Sequence, residues 1–107
     1  MLREDDALTT EGAYGRLEKL LVRLYEEEGL EIQTRILPRM LGYFSTEIGP
    51  LNQIVHLWGY ESLAERDERR RELMADPGWQ AYVAKIRPLV VNQENKILVP
   101  APFSPIR

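Results

Sequence analysis

The chain contains one histidine, His56, which lies within the strongly apolar segment from Asn52 to Tyr60. Imidazole is the side chain whose ordinary pKa lies closest to neutrality, so a buried His56 could accept a proton or orient a ligand. Glu47 and Tyr43 lie on the neighbouring predicted strand and could hydrogen-bond the ring, which makes Glu47 a candidate assisting carboxylate. The alternative is a core histidine that is satisfied by an adjacent strand or a buried carboxylate and performs no catalysis.

Aromatic side chains accompany this histidine and could line a cleft between a sheet and its helices. Such clefts bind small, flat and largely apolar molecules when a few polar groups converge on them. We therefore take Tyr43, His56, Trp58 and Tyr82 as the candidate ligand-binding residues. The alternative is that these rings only fill the hydrophobic core, which is the commoner role of aromatic residues.

Several classes of chemistry are excluded by the residue types present. The chain has no cysteine, which removes thiolate zinc sites, iron–sulfur clusters, disulfides and cysteine nucleophiles. With a single histidine, a metal site would have to consist of carboxylates, so we predict no metal and no cofactor. Ser45, Ser62 and Ser104 lie in no nucleophile elbow, and Gly12 and Gly15 lack the spacing of a phosphate-binding loop.

The length and composition indicate a single domain spanning residues 1–107. The net charge is −3, with 14 basic and 17 acidic residues spread along the chain, which argues against a nucleic-acid-binding face. No stretch approaches the length of a membrane span, and the acidic start is unlike a signal peptide, so we expect a cytoplasmic protein. Residues 1–10 and the Pro-rich tail, 100–107, are the least regular parts.

Helical segments must position the candidate residues. Apolar residues at helical spacing predict a helix over 11–28, with Gly29 as a left-handed cap. Ser62, three residues before a glutamate, forms a capping box at the start of a second helix. The charged run of that helix, residues 65–72, has four acids and four bases, which predicts a solvated helix face. The Asp-Pro pair at 76–77 begins another helix.

Three segments have strand character. Residues 41–48 and 52–60 are joined by a Gly-Pro turn at 49–51, and residues 89–99 form a last strand before the prolines. In strand 52–60, alternate side chains point to opposite sides of the sheet, and neither side is polar. One side consists of Ile54, His56, Trp58 and Tyr60, and the other of Val55, Leu57 and Gly59.

These elements, preceded by a first strand within residues 2–10, make the βαββαβ pattern of a ferredoxin-like α+β fold. Such an antiparallel sheet carries its helices on one face only. Because strand 52–60 is apolar on both sides, we expect its open face to be covered by a second copy in a symmetric homodimer. The alternative is that part of this second apolar face is simply exposed.

The first strand, residues 2–10, is weak and atypical. In a ferredoxin-like sheet this strand is central, yet residues 4–6 are three consecutive acids, whose burial is costly. We favour two outcomes: either only residues 7–10 pair while the acids fray, or the segment joins the first helix or is disordered. In a third outcome the strand pairs fully and its acids face a cavity, where they would be functional.

The region from about Leu30 to the end resembles the NIPSNAP family, part of the dimeric α+β barrel superfamily. The resemblance lies in three motifs: GYFSTEIGPLNQIVHLWGYESLAERDERRREL, ADPGWQAYV, and QENKILVP followed by PFSPI. It implies a ferredoxin-like protomer and a homodimer whose two sheets pack together, and it carries over no catalytic residues. The acidic first ten residues depart from the apolar, aromatic first strand that is usual in the family.

Two functional hypotheses follow, and the sequence leaves open whether the protein is an enzyme. In the first, each protomer of the dimer binds a small apolar or aromatic compound, and any chemistry is cofactor-free, with His56 as proton acceptor assisted by Tyr43 or Glu47. In the second, the protein is a non-enzymatic interaction scaffold that uses its charged helix, residues 62–75, or its Pro-rich tail. Superfamily relatives include cofactor-free monooxygenases and heme-handling proteins, so the resemblance permits enzymatic activity without implying it.

Overall fold

The computed structural model describes residues 2–10, 16–49 and 52–106. Within these ranges the strands are β1 (Leu2–Thr10), β2 (Arg39–Ser45), β3 (Gln53–Tyr60) and β4 (Val90–Leu98). The α-helices are α1 (Arg16–Leu24), α2 (Leu30–Ile36), α3 (Leu63–Ala75) and α4 (Pro77–Ile86), with a π-helical segment, Tyr25–Gly29, after α1 and a 3₁₀ turn, Arg87–Leu89, before β4. Of the predicted turn at 49–51, only Gly49 lies within the described residues; its φ of 130° is a left-handed conformation that favours glycine.

The strands form one antiparallel sheet in the order β2-β3-β1-β4, with the helices on one face. The predicted ferredoxin-like α+β fold is confirmed. Strand β1 is central, and it pairs along its length with β3 on one side and with β4 on the other. Both favoured expectations for this segment, fraying of residues 4–6 and joining of the helix or disorder, are therefore wrong.

Two arginines of α3 explain why the acidic strand can be buried. Glu4 is fully buried, and its carboxylate accepts hydrogen bonds from Arg66 Nη2 at 2.6 Å, from Arg66 Nε at 2.9 Å and from Arg70 Nη1 at 3.2 Å. A buried carboxylate is tolerated when it is paired and hydrogen-bonded in this way. The prediction that residues 65–72 form a solvated helix face is wrong in this respect, because Arg66 and Arg70 turn inward over the sheet.

Gly29 does not end the first helix as predicted. Its φ is −104°, which is not left-handed, and the chain continues from α1 through the π-helical segment into α2. The wider π turn is closed by a hydrogen bond from the Leu30 N–H to the Tyr25 carbonyl oxygen. A Cβ atom at position 29 would lie 3.0 Å from side-chain atoms of both Tyr25 and Tyr82, so glycine lets the helix approach these two rings closely.

Side-chain caps begin both helices that follow β3, as predicted. Ser62 Oγ accepts a hydrogen bond from the Glu65 N–H at 3.1 Å, and Asp76 Oδ1 accepts one from the Trp79 N–H at 3.0 Å. Each bond satisfies a donor that the first helical turn leaves without an intrahelical partner. The caps fix where α3 and α4 start, and these are the helices that carry Arg70 and Tyr82 over the sheet.

The two faces of the sheet differ in how they are covered. The helices bury the β3 side chains Ile54, His56, Trp58 and Tyr60. On the other face Val55 and Leu57 are only half-buried, and the cross-strand partner of Val55, Phe44, is 56% exposed. Strand β4 lies at the sheet edge, and all its residues after Val90 are exposed. The β2–β3 part of this face is therefore apolar and open, in agreement with the two-sided apolar pattern of β3. Its β1–β4 part carries the charged residues Asp5, Glu94 and Lys96.

Candidate ligand-binding site

A cavity of about 460 Å³ lies between the helix-covered face of the sheet and the helices. This volume falls within the range of about 300–1,000 Å³ that is usual for small-molecule sites. The sheet contributes Asp6, Leu8, Tyr43 and His56 to the cavity wall, and α4 contributes Trp79, Tyr82, Val83 and Ile86. The cavity is therefore built by the elements that the sequence predicts around His56, together with the central strand β1.

The side chain of His56 lines the cavity, and its ring carries a hydrogen-bond donor without a partner among the described residues. Trp58, two residues further along β3 and on the same face, donates its Nε1–H to His56 Nδ1 at 3.1 Å. Because an indole nitrogen can only donate, Nδ1 must be unprotonated, and the proton of the neutral ring lies on Nε2. Burial, aided by the positive charge of Arg70, lowers the pKa of His56 to about 4, so the ring is neutral at pH 7. Nε2 is buried and has no hydrogen-bond partner among the described residues.

Asp6 lies directly opposite His56 in the register of β1 and β3, and it lines the same cavity. Asp6 Oδ2 is 3.8 Å from Arg70 Nη1, whereas Oδ1 has no hydrogen-bond partner in the part of the chain that the structure describes. Burial raises the pKa of Asp6 to about 6, the charge of Glu4 adds to the rise, and Arg70 and Arg66 oppose it. Asp6 is thus mainly a carboxylate at pH 7, but a more basic one than an exposed aspartate.

Aromatic rings form two sides of the cavity. Tyr25 and Tyr43 are stacked with ring centroids 4.7 Å apart, and the Tyr43 centroid lies 5.1 Å from that of His56. The Trp79 and Tyr82 centroids are 5.0 Å apart. Burial raises the pKa of each of these three tyrosines above its ordinary value, so their phenols are uncharged at neutral pH. The cavity therefore offers flat, uncharged surfaces on which a planar molecule could lie.

The structure brings together three of the four candidate ligand-binding residues. Tyr43, His56 and Tyr82 line the cavity, whereas Trp58 is fully buried outside its lining and fixes the His56 ring by its hydrogen bond. Glu47 is exposed in the segment that follows β2, and it does not line the cavity. Strand β2 ends at Ser45, so Glu47 cannot hydrogen-bond His56 as a cross-strand neighbour, and the expected assistance from Glu47 is not met.

Neither Arg70 nor Trp79 is predicted as part of this site. Asp6 is anticipated only by the third outcome for the first strand, in which the strand pairs fully and its acids face a cavity. The signal for Asp6 is the alternation of Glu4, Asp6 and Leu8 along β1, which places all three on the face that carries His56. No such local signal marks Arg70, because the carboxylate that orients it, Glu4, lies 66 residues away in the chain. Trp79 follows the Asp-Pro pair that begins α4, a position that predicts a helix start and not a place in the cavity wall.

Two other kinds of site find no support in the described ranges. Among residues 2–10, 16–49 and 52–106, no group of three or more His, Cys, Asp or Glu side chains could hold a metal ion. No helix in the same ranges is long and apolar enough to cross a membrane. What the arrangement can do is hold a flat, largely apolar molecule with an oxygen atom facing the His56 Nε2–H and a polar hydrogen or an acidic carbon facing Asp6.

Comparison with known proteins places the chain in a family. A family model for NIPSNAP matches residues 13–105. The chain belongs to the NIPSNAP family. A NIPSNAP family protein of Agrobacterium tumefaciens is 42% identical, with a TM-score of 0.93, over 99% of this chain and 98% of its own. A NIPSNAP-like domain protein of Burkholderia xenovorans is 48% identical, with a TM-score of 0.88, over 97% of this chain and 88% of its own.

The curated NIPSNAP relatives are much longer than this chain. The NipSnap protein of Drosophila melanogaster is 41% identical over 64 residues, which are 60% of this chain and 23% of that protein. The chain spans 12 to 24% of the length of the first curated relatives that it matches. A more distant likeness to an antibiotic biosynthesis monooxygenase, with 18% identity and a TM-score of 0.66 over 95% of this chain and 100% of that one, supports the ferredoxin-like fold alone.

Proposed function

We propose that this NIPSNAP domain acts as a homodimer in which each protomer binds a small, flat and largely apolar molecule in the cavity beside His56. The observation that carries the proposal is that three residues of the cavity wall each hold a buried polar atom without a partner. Asp6 Oδ1, His56 Nε2 and Trp79 Nε1 have no hydrogen-bond partner within the described residues, and all three side chains line the cavity. Leaving such an atom unsatisfied costs about 1–3 kcal/mol, so a ligand that pairs with them gains affinity and orientation.

The remaining wall favours an apolar body for this ligand. Leu8, Met74, Val83 and Ile86 line the cavity beside the aromatic rings. A strongly hydrated molecule such as a sugar would leave several of its hydroxyl groups against hydrocarbon, which is unfavourable. A bicyclic ketone or phenol would bury its rings and still offer one oxygen to His56 Nε2–H.

His56 therefore has a different role in this proposal from the proton acceptor that the sequence suggested. Its Nδ1 lone pair is already used by Trp58, and its Nε2 carries the proton. His56 can donate a hydrogen bond to a ligand oxygen at neutral pH, whereas accepting a proton would require it to break the bond to Trp58. Any cofactor-free chemistry would then rely on another group as the base.

Val83→Phe should weaken ligand binding strongly. The larger ring would occupy part of the space that Val83, on the α4 wall, leaves open to a bicyclic molecule. We expect the Kd for 2-tetralone, a flat bicyclic ketone, to rise at least about 10-fold, which corresponds to about 1.4 kcal/mol. Isothermal titration calorimetry measures this change, and thermal unfolding confirms that the variant is folded.

Val99→Phe is the matched control for this substitution. Val99 is 79% exposed and does not line the cavity, so the same change there should leave the Kd unaltered. An unchanged Kd in folded Val83→Phe protein would show that the ligand binds elsewhere. Failure of the wild-type protein to bind any of 2-tetralone, 2-naphthol and 1,4-naphthoquinone would overturn the ligand proposal.

The dimer part of the proposal is supported by the open apolar face of the sheet. Val55, Leu57 and the exposed Phe44 lie on that face, and Leu98 at the edge is 41% exposed. Val55, Leu57 and Phe44 are neighbours on β2 and β3, and adjoining apolar side chains of this kind mark interaction surfaces more often than scattered ones do. A second copy placed face to face would bury the same residues in both protomers, as twofold symmetry requires.

Leu57→Lys should convert the dimer into a monomer. The substitution places a charge at the centre of the proposed interface, where desolvating it is costly. Multi-angle light scattering should give twice the 12.5 kDa chain mass for the wild type and a single chain mass for the variant. Leu63→Lys, an equally apolar-to-charged change at the exposed start of α3, should leave the dimer intact.

A monomeric wild-type protein would instead favour the scaffold alternative. The observation that keeps this alternative open is the exposure of Phe103, which is 87% accessible in the Pro-rich tail. The charged helix is a weaker candidate for a partner surface, because Arg66 and Arg70 are engaged with Glu4. The cytoplasmic location stays a prediction from the sequence.

A further inference from the structure

We infer that the cavity also catalyses proton transfer at a carbon next to a ketone carbonyl, with Asp6 as the base and the His56 Nε2–H as the donor to the enolate oxygen. The inference rests on the proposed ligand site and names a substrate class for it. It is carried by the geometry of one acceptor and one donor that are both buried, both without partners in the described ranges, and both in the wall of the same cavity.

The β1–β3 register sets the two groups side by side. Asp6 and His56 are direct cross-strand partners, and their side chains lie on the same face of the sheet. Directly opposed residues of antiparallel strands have Cβ atoms about 4.5–5.5 Å apart. A carbonyl oxygen that accepts from Nε2 therefore places the adjacent carbon within reach of the Asp6 carboxylate. A base must meet this geometric condition first.

The protonation states of Asp6 and His56 at pH 7 suit their roles as base and hydrogen-bond donor. Asp6, with its pKa raised to about 6 by burial, is ionised at pH 7 and strong enough to be an effective base near neutral pH. His56 is neutral, with its pKa lowered to about 4 by burial, and its Nδ1 is held as an acceptor by Trp58. A neutral imidazole fixed in this tautomer can polarise a carbonyl through Nε2–H without giving up its proton.

The charged and titratable groups around Asp6 come from three elements. On its own strand, Glu4 and Asp5 raise the pKa of Asp6, and on α3, Arg70 and Arg66 lower it. On β3, Asp6 faces His56. The partner of Asp6 on β4 is Asn95, which carries no charge. Arg70 Nη1 lies 3.8 Å from Asp6 and donates to Glu4 at 3.2 Å, so Arg70 is a positioning residue that keeps the Asp6 carboxylate ionised near neutral pH.

The proposed step balances without a cofactor. The Asp6 carboxylate takes a proton from the carbon next to the carbonyl, and the electron pair of that C–H bond forms the carbon–carbon double bond of the enolate. The carbonyl π electrons move to oxygen, where the His56 Nε2–H stabilises the negative charge. In D₂O the proton held by Asp6 exchanges with solvent while the enolate is bound, and Asp6 then returns a deuteron to the same carbon. This regenerates the ketone with deuterium in place of hydrogen.

The test follows hydrogen–deuterium exchange at C1 of 2-tetralone in D₂O by proton NMR. Wild-type protein should accelerate the exchange over buffer. Asp6→Asn should lower the protein-catalysed rate about 100-fold or more, because a positioned base contributes about 10²- to 10⁴-fold. His56→Phe should lower it by about 100-fold through loss of the oxyanion donor. Glu47→Gln is the matched control, since Glu47 is an exposed carboxylate that neither lines the cavity nor is among the charges that shift the pKa of Asp6, so its rate should equal that of wild type.

Calorimetry on the same variants separates this inference from the proposed function. Binding of 2-tetralone by wild type with no acceleration, or with exchange that persists at the wild-type rate in Asp6→Asn, overturns the inference and leaves the ligand site standing. Failure of the wild type to bind 2-tetralone overturns the inference, and failure to bind 2-naphthol and 1,4-naphthoquinone as well overturns both. If Asp6→Asn does not fold, the wild-type pH profile decides: the catalysed rate should rise with a midpoint near pH 6 and then level off, and a rate that only follows hydroxide concentration overturns the inference.

Discussion

Glu4→Gln should lower the free energy of unfolding by about 3–5 kcal/mol, the usual consequence of removing one member of a buried ion pair. Glu4 is fully buried at the centre of the sheet, and it accepts from both Arg66 and Arg70. Glutamine keeps the shape but removes the charge that these guanidinium groups neutralise. It also brings an amide group whose donors would face the arginines. Urea denaturation at pH 7, with the slope compared between variants, measures the loss.

Glu47→Gln is the control for this experiment. Glu47 is an exposed carboxylate in the segment after β2, and the substitution is the same Glu-to-Gln change. The same loss of one negative charge there should change stability by less than about 0.5 kcal/mol, as is usual for surface substitutions. Equal effects at the two positions would mean that overall charge, and not the Glu4 pairing, holds the acidic strand in the sheet.

The pH dependence of stability should reveal two opposed titrations in the cavity wall. Burial raises the pKa of Asp6 from 3.8 to about 6, so the folded protein favours the protonated acid. The protonated acid therefore contributes to the free energy of unfolding fully below pH 3.8, and this contribution is lost as the pH rises through 6. Burial lowers the pKa of His56 from 6.5 to about 4, so the folded protein favours the neutral ring. The neutral ring therefore contributes to the free energy of unfolding above pH 6.5, and this contribution is lost as the pH falls through 4. Each of these two contributions to the free energy of unfolding amounts to about 3 kcal/mol.

Because the two effects run in opposite directions between pH 4 and 6, they largely cancel in the wild-type protein. Substitution should separate them. Relative to wild type, Asp6→Asn should become more stable by about 3 kcal/mol on going from pH 4 to pH 7. His56→Gln should show the reverse change over the same range. Comparing each variant with wild type at the same pH cancels the titration of all other groups.

Urea denaturation of the three proteins at pH 4, 5, 6 and 7 provides the measurement. A pH-independent difference between Asp6→Asn and wild type would mean that Asp6 is hydrated in the folded state. If the stability difference between His56→Gln and wild type did not depend on pH, the imidazole of His56 would likewise be hydrated in the folded state. Either result would contradict the buried cavity wall from which both roles are argued.

Much of the fold could be predicted from local signals. Ser62 and Asp76 mark helix starts through bonds that span three residues, and the alternation along β3 separates His56 and Trp58 from Val55. These patterns hold because each depends on backbone geometry within one element. The same local reasoning misplaced the end of the first helix at Gly29, where contact with the Tyr82 ring, and not a left-handed turn, explains the glycine.

The acidic first strand could not be predicted in this way, because what stabilises it is distant in the chain. Read alone, Glu4 and Asp6 argue against a central strand, and Arg66 and Arg70 belong to an ordinary charged helix. Their pairing spans 62 and 66 residues and exists only once the sheet has formed. The same limit affects the candidate site: the sequence indicates His56 and Tyr43, but the carboxylate it suggests beside them, Glu47, lies outside the cavity, whereas Asp6 lines it.

The most direct test of the account uses the single histidine of the chain. Long-range proton–nitrogen correlation spectra of ¹⁵N-labelled protein at pH 7 report the protonation of both ring nitrogens of His56. We predict a neutral ring with its proton on Nε2, and an Nε2 resonance that shifts when 2-tetralone saturates the cavity, while Nδ1 remains an acceptor. A ring protonated on Nδ1, an imidazolium at pH 7, or an Nε2 resonance unmoved by bound ligand would contradict the central claim that His56 offers a donor to a molecule in this cavity.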